Sequence, residues 1–158
     1  MATEIERKFL VTNENWRTQA TQQKSIKQGY FGPPNKASIR IRIDGDAANI
    51  NIKSATLDIV RKEYEISVPL NDAEEMLQHL CERPFIEKVR HLVPQGAHVW
   101  EVDEFSGDNQ GLIVAEIELS SADEAFEKPD WLGEEVSHDE RYYNVRLVKN
   151  PYKNWRNG

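Results

Sequence analysis

A single cysteine among 158 residues leaves Cys81 no partner within the chain, so no internal disulfide supports the fold. No apolar run approaches the ~20 residues of a membrane-spanning helix, and nothing resembles a signal peptide, so a cytoplasmic address and no membrane partner are expected. Positive charge is also short. Lys and Arg total 20 against 27 Asp and Glu, a formal net charge of −7, whereas general nucleic-acid binding wants a basic footprint. The four histidines, His79, His91, His98 and His138, share no metal-ligand spacing, which argues against zinc. The glycines form no Walker-type phosphate loop. Trp16, Trp100, Trp131 and Trp155 are scattered and suit core and rim packing. With no repeat, linker or low-complexity segment, residues 1–158 are expected to form one domain, as a monomer or homodimer.

What the chain does have is alternation. In a strand, successive side chains point to opposite faces. Glu4, Glu6 and Lys8 therefore share one face, with Ile5 and Phe9 on the other. Arg40 and Arg42 oppose Ile39, Ile41 and Ile43. Asn49, Asn51 and Lys53 oppose Ile50 and Ile52, and Glu63 and Glu65 oppose Tyr64, Ile66 and Val68. Lys88 pairs with Arg90, Glu101 and Asp103 oppose Trp100 and Val102, and Glu116 aligns with Glu118 across from Ala115, Ile117 and Leu119. Seven strand-like segments thus put their charges on one parity and their apolar residues on the other.

The signs are sorted as well. Acids dominate the segments at Glu63, Asp103 and Glu116, and bases those at Arg40, Lys53 and Lys88. Solvated strands ordinarily mix signs and carry Ser and Thr. Like charges two apart repel, so clustering them points to a ligand that collects them. Acid pairs suit hard divalent cations, which take oxygen ligands. Arg and Lys rows suit phosphate oxygens. A polyphosphate with its Mg²⁺ or Mn²⁺ uses both, and the cation lets an acidic protein hold a polyanion.

An additional strand over Ser25 to Phe31 is expected, although Gly29 weakens it; Gly32-Pro33-Pro34-Asn35, Asp44-Gly45-Asp46 and Gly107 to Gly111 read as turns. Asn71 is expected to cap a helix to about Arg83 that buries Met76, Leu77, Leu80 and Cys81, the last as a structural thiol. Ser121 with Glu124, and Ser137 with Glu140, read as capping boxes for short helices, the second leading into Tyr142, Val145 and Val148; Asn13 caps a brief helix through Trp16. Helices outside, apolar faces against them and ionic faces inward describe an α+β fold: a β-barrel with a charged lumen. About eight antiparallel strands enclose room for one small ligand.

Glu4-x-Glu6-x-Lys8, followed in order by Arg40-x-Arg42, Lys53, Glu63-x-Glu65, Lys88-x-Arg90, Asp103 and Glu116-x-Glu118, resembles the CYTH superfamily, also called triphosphate tunnel metalloenzymes. The match runs from Glu4 to Glu118 and on to the Arg141-Tyr142 region, and Tyr30 in Gln28-Gly29-Tyr30 follows it too. The resemblance implies eight antiparallel strands closed into a tunnel and metal-dependent hydrolysis of a triphosphate. The short chain and its Glu-Ile-Glu-Arg-Lys-Phe opening look most like the bacterial inorganic triphosphatases. On that footing Arg40, Arg42, Lys53, Lys88 and Arg90 grip the phosphates, and Lys8 neutralises charge near the scissile bond. Glu4, Glu6, Glu116 and Glu118 hold one or two Mg²⁺ or Mn²⁺ ions. Glu63, Glu65 and Asp103 complete the acid floor as metal ligands or water orienters. Tyr30 and Arg141 are further candidates. A class IV-type adenylate cyclase, a thiamine triphosphatase and a non-catalytic polyphosphate sensor are the competing readings.

Overall fold

The computed structural model describes residues 2–55 and 58–155. Within them lie nine strands: β1 (Ala2–Val11), β2 (Gln22–Tyr30), β3 (Ala37–Asp44), β4 (Ala47–Ser54), β5 (Val60–Ser67), β6 (Ile86–Gln95), β7 (His98–Phe105), β8 (Ile113–Glu118) and β9 (Leu132–Glu135). Helices are few: α1 (Trp16–Gln19), α2 (Leu70–Leu80) and α3 (Asn144–Leu147), with short 3₁₀ turns. The antiparallel order β5-β4-β3-β2-β6-β7-β8-β1 closes on itself through β1 and β5, from Ala2↔Glu63 to Ile5↔Val60. The eight-stranded barrel expected from the sequence is therefore present.

Closure takes only four residue pairs, because β1 divides one edge between partners. Glu6 N donates to Ile59 O; farther along, Ser137 Oγ accepts from Lys8 N at 3.0 Å and Val136 N donates to Lys8 O. The ninth strand, β9, then pairs with Phe9 and Val11 outside the barrel. Every backbone group needs such a partner once buried, so the segment 132–137 completes the wall that β5 leaves open.

Register confirms the inward row strand by strand. Lys8 lies opposite Glu116, Arg40 opposite Asn51, Lys53 opposite Glu63, and Arg90 opposite Asp103. Outside, Phe9, Trp16, Trp100, Val102, Ile117 and Trp131 form one core, and Ile41 and Ala48 pack under Ala73 and Leu77 of α2. Gly29 is explained by that helix. A Cβ there would meet Leu77 Cδ2 at 2.7 Å and Cys81 Cβ at 2.9 Å, so only glycine lets α2 lie this close to β2. Gly45, at φ +64°, turns the β3–β4 hairpin as its Asp-Gly-Asp setting requires.

One end of the barrel is apolar inside. Ile86, Phe105 and Val114 sit on the same parity as Lys88, Asp103 and Glu116, and they pack with Tyr30 against Tyr142, Leu147 and Val148 from the C-terminal segment. That segment closes this mouth.

Several expectations are corrected. The α2 helix starts at Leu70 after Pro69, not at an Asn71 cap, and stops at Leu80. Leu80 is 60% exposed, because Ala73 and Leu77, one turn apart, already make the contact with the barrel. Ser121 and Glu124 start no helix. Glu124 Oε1 accepts from Ser120 N instead, and Phe126 is the one apolar residue that segment 120–128 places on the Phe9 and Trp100 core, too little to make a helical stripe. Ser137 is not a cap either; its hydroxyl serves β1 and Glu135, while Asp139 caps the 3₁₀ turn at Glu140–Tyr142 by accepting from Arg141 N. Finally, the outer face of β5 is not covered: Tyr64 and Ile66 are 45% and 51% exposed.

Candidate active site

Fourteen ionic side chains line a cavity of about 200 Å³ inside the barrel. Seven are acids (Glu4, Glu6, Glu63, Glu65, Glu101, Glu116, Glu118) and seven are bases (Lys8, Arg40, Arg42, Lys53, Arg61, Lys88, Arg90). Tyr30, Ser38, Tyr143, Asn144 and Val145 complete the lining. The strands fix this arrangement because register places inward residues of adjacent strands side by side.

The charges satisfy one another in defined pairs. Lys8 Nζ lies 2.6 Å from Glu116 Oε2 and 3.2 Å from Glu6 Oε1. Lys53 Nζ bridges Glu4 at 3.0 Å and Glu63 at 3.6 Å. Arg90 reaches Asp103 through Nε and Nη2, and also Glu101 at 3.2 Å and Glu116 at 3.3 Å. Lys88 Nζ is 2.8 Å from Asp103 Oδ2. Arg40 and Arg42 stand apart from the carboxylates; their Nε atoms donate to Asn51 Oδ1 and Gln28 Oε1.

These surroundings move the titrations. Burial and the Glu116 carboxylate push Glu6 up to about 8, despite Lys8. Burial works against Glu116 too, but Lys8, a hydrogen bond with Glu6, and Arg90 hold it well below the usual carboxylate range. Glu101 and Glu118 are raised by burial and neighbouring acids. Burial opposes the charge on Lys8, yet Glu116 and Glu6 raise its pKa above the ordinary lysine value. Burial, only partly offset by Asp103, brings Lys88 down to about 7, and burial with Arg40 and Arg90 brings Arg42 down to about 10.

The acids therefore fit a hard divalent cation in donor type. Burial and neighbouring carboxylates raise Glu6, Glu101 and Glu118, and a bound cation would relieve the repulsion among them. Among the described residues, however, no three acids converge into a ready-made metal cage; the closest contacts of Glu4 and Glu116 are with Lys53, Lys8 and Arg90.

Most residues picked from the sequence meet in this cavity: Glu4, Glu6, Lys8, Tyr30, Arg40, Arg42, Lys53, Glu63, Glu65, Lys88, Arg90, Glu116 and Glu118. Two do not. Asp103 is buried below the lining with both oxygens engaged by Arg90 and Lys88, so it anchors bases and does not join the acid floor. Arg141 lies outside, pairing with Asp139 at 2.7 Å and stacking 5.0 Å from Trp155. Arg61 and Glu101 were missed although they share parity with Glu63 and Asp103. Tyr143 and Asn144 carry no such signal, since they arrive from an irregular C-terminal segment.

Comparison with known proteins follows the same lines. An inorganic triphosphatase of Acetivibrio thermocellus is 44% identical over 158 residues, covering 99% of both chains. One from Nitrosomonas europaea is 37% identical over 152 residues, covering 92% of this chain and 97% of that one. A crystal structure of an inorganic triphosphatase superposes with a TM-score of 0.67 at 33% identity, over 94% of this chain and 95% of that chain. The family model described as the CYTH domain matches residues 2–145, and the chain belongs to that family.

Proposed function

We propose that this protein hydrolyses the terminal phosphoanhydride bond of inorganic tripolyphosphate with a divalent cation, Mg²⁺ or Mn²⁺. The observation that carries the reading is the lining itself: fourteen ionic residues and almost nothing apolar. A triphosphate needs no more than that. A cyclase must also seat a purine, and a thiamine triphosphatase a thiazolium ring. Trp16, Trp100 and Trp131 are fully buried in the outer core, and Trp155 meets Tyr142 and Tyr152 edge-to-face. None of the four lines the cavity, so neither ring finds an aromatic rest beyond Tyr30 and Tyr143. The relatives named inorganic triphosphatase support the same substrate class.

In this reading Arg40, Arg42, Lys53, Lys88 and Arg90 bind and orient the phosphates, and the guanidinium forks of Arg40 and Arg42 remain available for bidentate contacts. Lys8, between Glu6 and Glu116, meets charge developing at the scissile bond. Glu4, Glu6, Glu116 and Glu118 would hold the cation, which supplies charge neutralisation and an activated water. Triphosphatases of this family generally need a metal ion. Glu63, Glu65 and Glu101 orient water, while Asp103 anchors Arg90 and Lys88. The chain is read as a single tunnel domain that works in the cytoplasm. Among the described residues no helix is long and apolar enough to cross a membrane.

Phosphate release from tripolyphosphate, ATP and thiamine triphosphate, each with and without Mg²⁺ or Mn²⁺, tests the proposal. Metal-dependent release from tripolyphosphate at a kcat/KM at least tenfold above the other two is expected. Preference for ATP with cyclic nucleotide as product, or binding without turnover of any substrate, would overturn it.

A further inference from the structure

We propose that Asn144 is a positioning residue for phosphate binding: its side-chain carbonyl orients Lys88 and, through Gln28, Arg42, without neutralising either. The assignment rests on the triphosphatase reading above. Asn144 opens α3 on the segment that closes one mouth of the tunnel, and it lines the cavity. Its Oδ1 accepts from Lys88 Nζ at 2.7 Å and from Gln28 Nε2 at 2.8 Å. Gln28 is fully buried, and its Oε1 accepts from Arg42 Nε at 2.9 Å. One amide oxygen thus joins β6 to β2, and the Gln28 amide carries the link to β3.

The neutrality of this acceptor matters. An ammonium has three N–H donors. Asn144 takes one from Lys88 and Asp103 accepts another at 2.8 Å, which leaves a third for an anion. Asp103 already shares its single negative charge between Lys88 and Arg90. A second carboxylate at position 144 would pair with Lys88 and compete with the phosphate, whereas an amide fixes the direction of the donors and leaves the field in place. Gln28 does the same for Arg42, whose guanidinium keeps its Nη donors.

Asn144→Asp and Asn144→Leu test the idea. Aspartate preserves shape and acceptor but adds charge; leucine preserves volume and removes the acceptor. Both should raise KM for tripolyphosphate by about 10–100-fold with kcat within about threefold, leucine because a hydrogen bond to a charged group is lost and aspartate because its carboxylate pairs with Lys88 in competition with the phosphate. Asn144→Asp should melt near the wild-type temperature, and it carries the test if Asn144→Leu fails to fold. Unchanged KM in Asn144→Asp overturns the proposal, as does a fall in kcat with KM intact; a lower melting temperature with unchanged KM would mean packing alone. If the wild type does not turn over tripolyphosphate, calorimetric binding of tripolyphosphate with Mg²⁺ decides independently. A Kd about 10–100-fold weaker in Asn144→Asp sustains positioning, an unchanged Kd overturns it, and no binding by the wild type overturns both readings.

Discussion

Lys8 touches two carboxylates of opposite character, Glu116 held ionised and Glu6 raised to about 8, and its own proton is held tightly by both. A permanently charged ammonium beside the bond to be broken should act on the transition state more than on binding. Lys8→Ala is expected to lower kcat by about 10²–10³, the scale of one lost oxyanion-type donor, with a smaller change in KM. Steady-state kinetics on tripolyphosphate checks this; a rise in KM alone would make Lys8 a binding residue. The acids separate by burial. Glu118 is far less buried than Glu116 and makes no ion pair within the described residues, so Glu118→Gln should lose most activity at an unchanged melting temperature, whereas Glu116→Gln should also melt lower, because Lys8 and Arg90 lose a buried partner. Equal melting temperatures would mean that the Glu116 pairs contribute nothing to stability. Glu6 gives a pH signature. Its folded pKa, near 8 against an ordinary 4.5, means that the native state binds the extra proton between those values. Metal-free stability therefore falls as pH rises through that window and levels off above it. Glu6→Gln removes this effect, so its melting temperature relative to wild type should climb from pH 5 to pH 9. The opposite trend from Lys88, which starts near pH 7, is common to both proteins and cancels. A constant difference would refute the assignment.

The elements show why the barrel could be read from the chain and its covering could not. Strand parity is a local property, and each ionic row, from Glu4-x-Glu6-x-Lys8 to Glu116-x-Glu118, declared its inward face. Parity also carried Arg61 and Glu101, which needed only consistent application. Asp103 has the right parity, but its depth depends on where Arg90 and Lys88 reach, which no strand pattern encodes. The outer layer is set by tertiary contact. β9 is a four-residue strand, Leu-Gly-Glu-Glu, with no alternation to reveal it, and the sites at 121 and 137 resemble helix caps although Ser121 Oγ donates to Asp123 within its own loop and Ser137 serves β1 and Glu135. Gly29 seemed a weakness of β2 and is instead the condition for α2 to dock. Gly29→Ala should destabilise by about 1–3 kcal/mol through overpacking against Leu77 and Cys81. Denaturant unfolding tests it, and Gly29→Ala should cost less in a Leu77→Ala background than in the wild type if the clash is the cause.

At the scale of the whole molecule, 27 acids against 20 bases make it a poor host for a polyanion, yet the cavity lining balances at seven and seven. Tripolyphosphate brings several negative charges into that neutral space. Turnover should therefore vanish in excess EDTA and return with Mg²⁺ or Mn²⁺; undiminished activity under chelation would remove the role given to the acids. The self-paired tunnel has a further consequence, because it behaves as a mixed-bed ion exchanger. A phosphate oxygen that takes Arg90 or Lys53 strips Glu101, Glu116 or Glu4 of its counter-ion, and that bared carboxylate then recruits a cation. A cation arriving first bares the arginine and lysine in the same way. Each guest thus regenerates the resin for the other, so loading is mutual by thermodynamic linkage, and simple salt, competing on both beds at once, elutes them together.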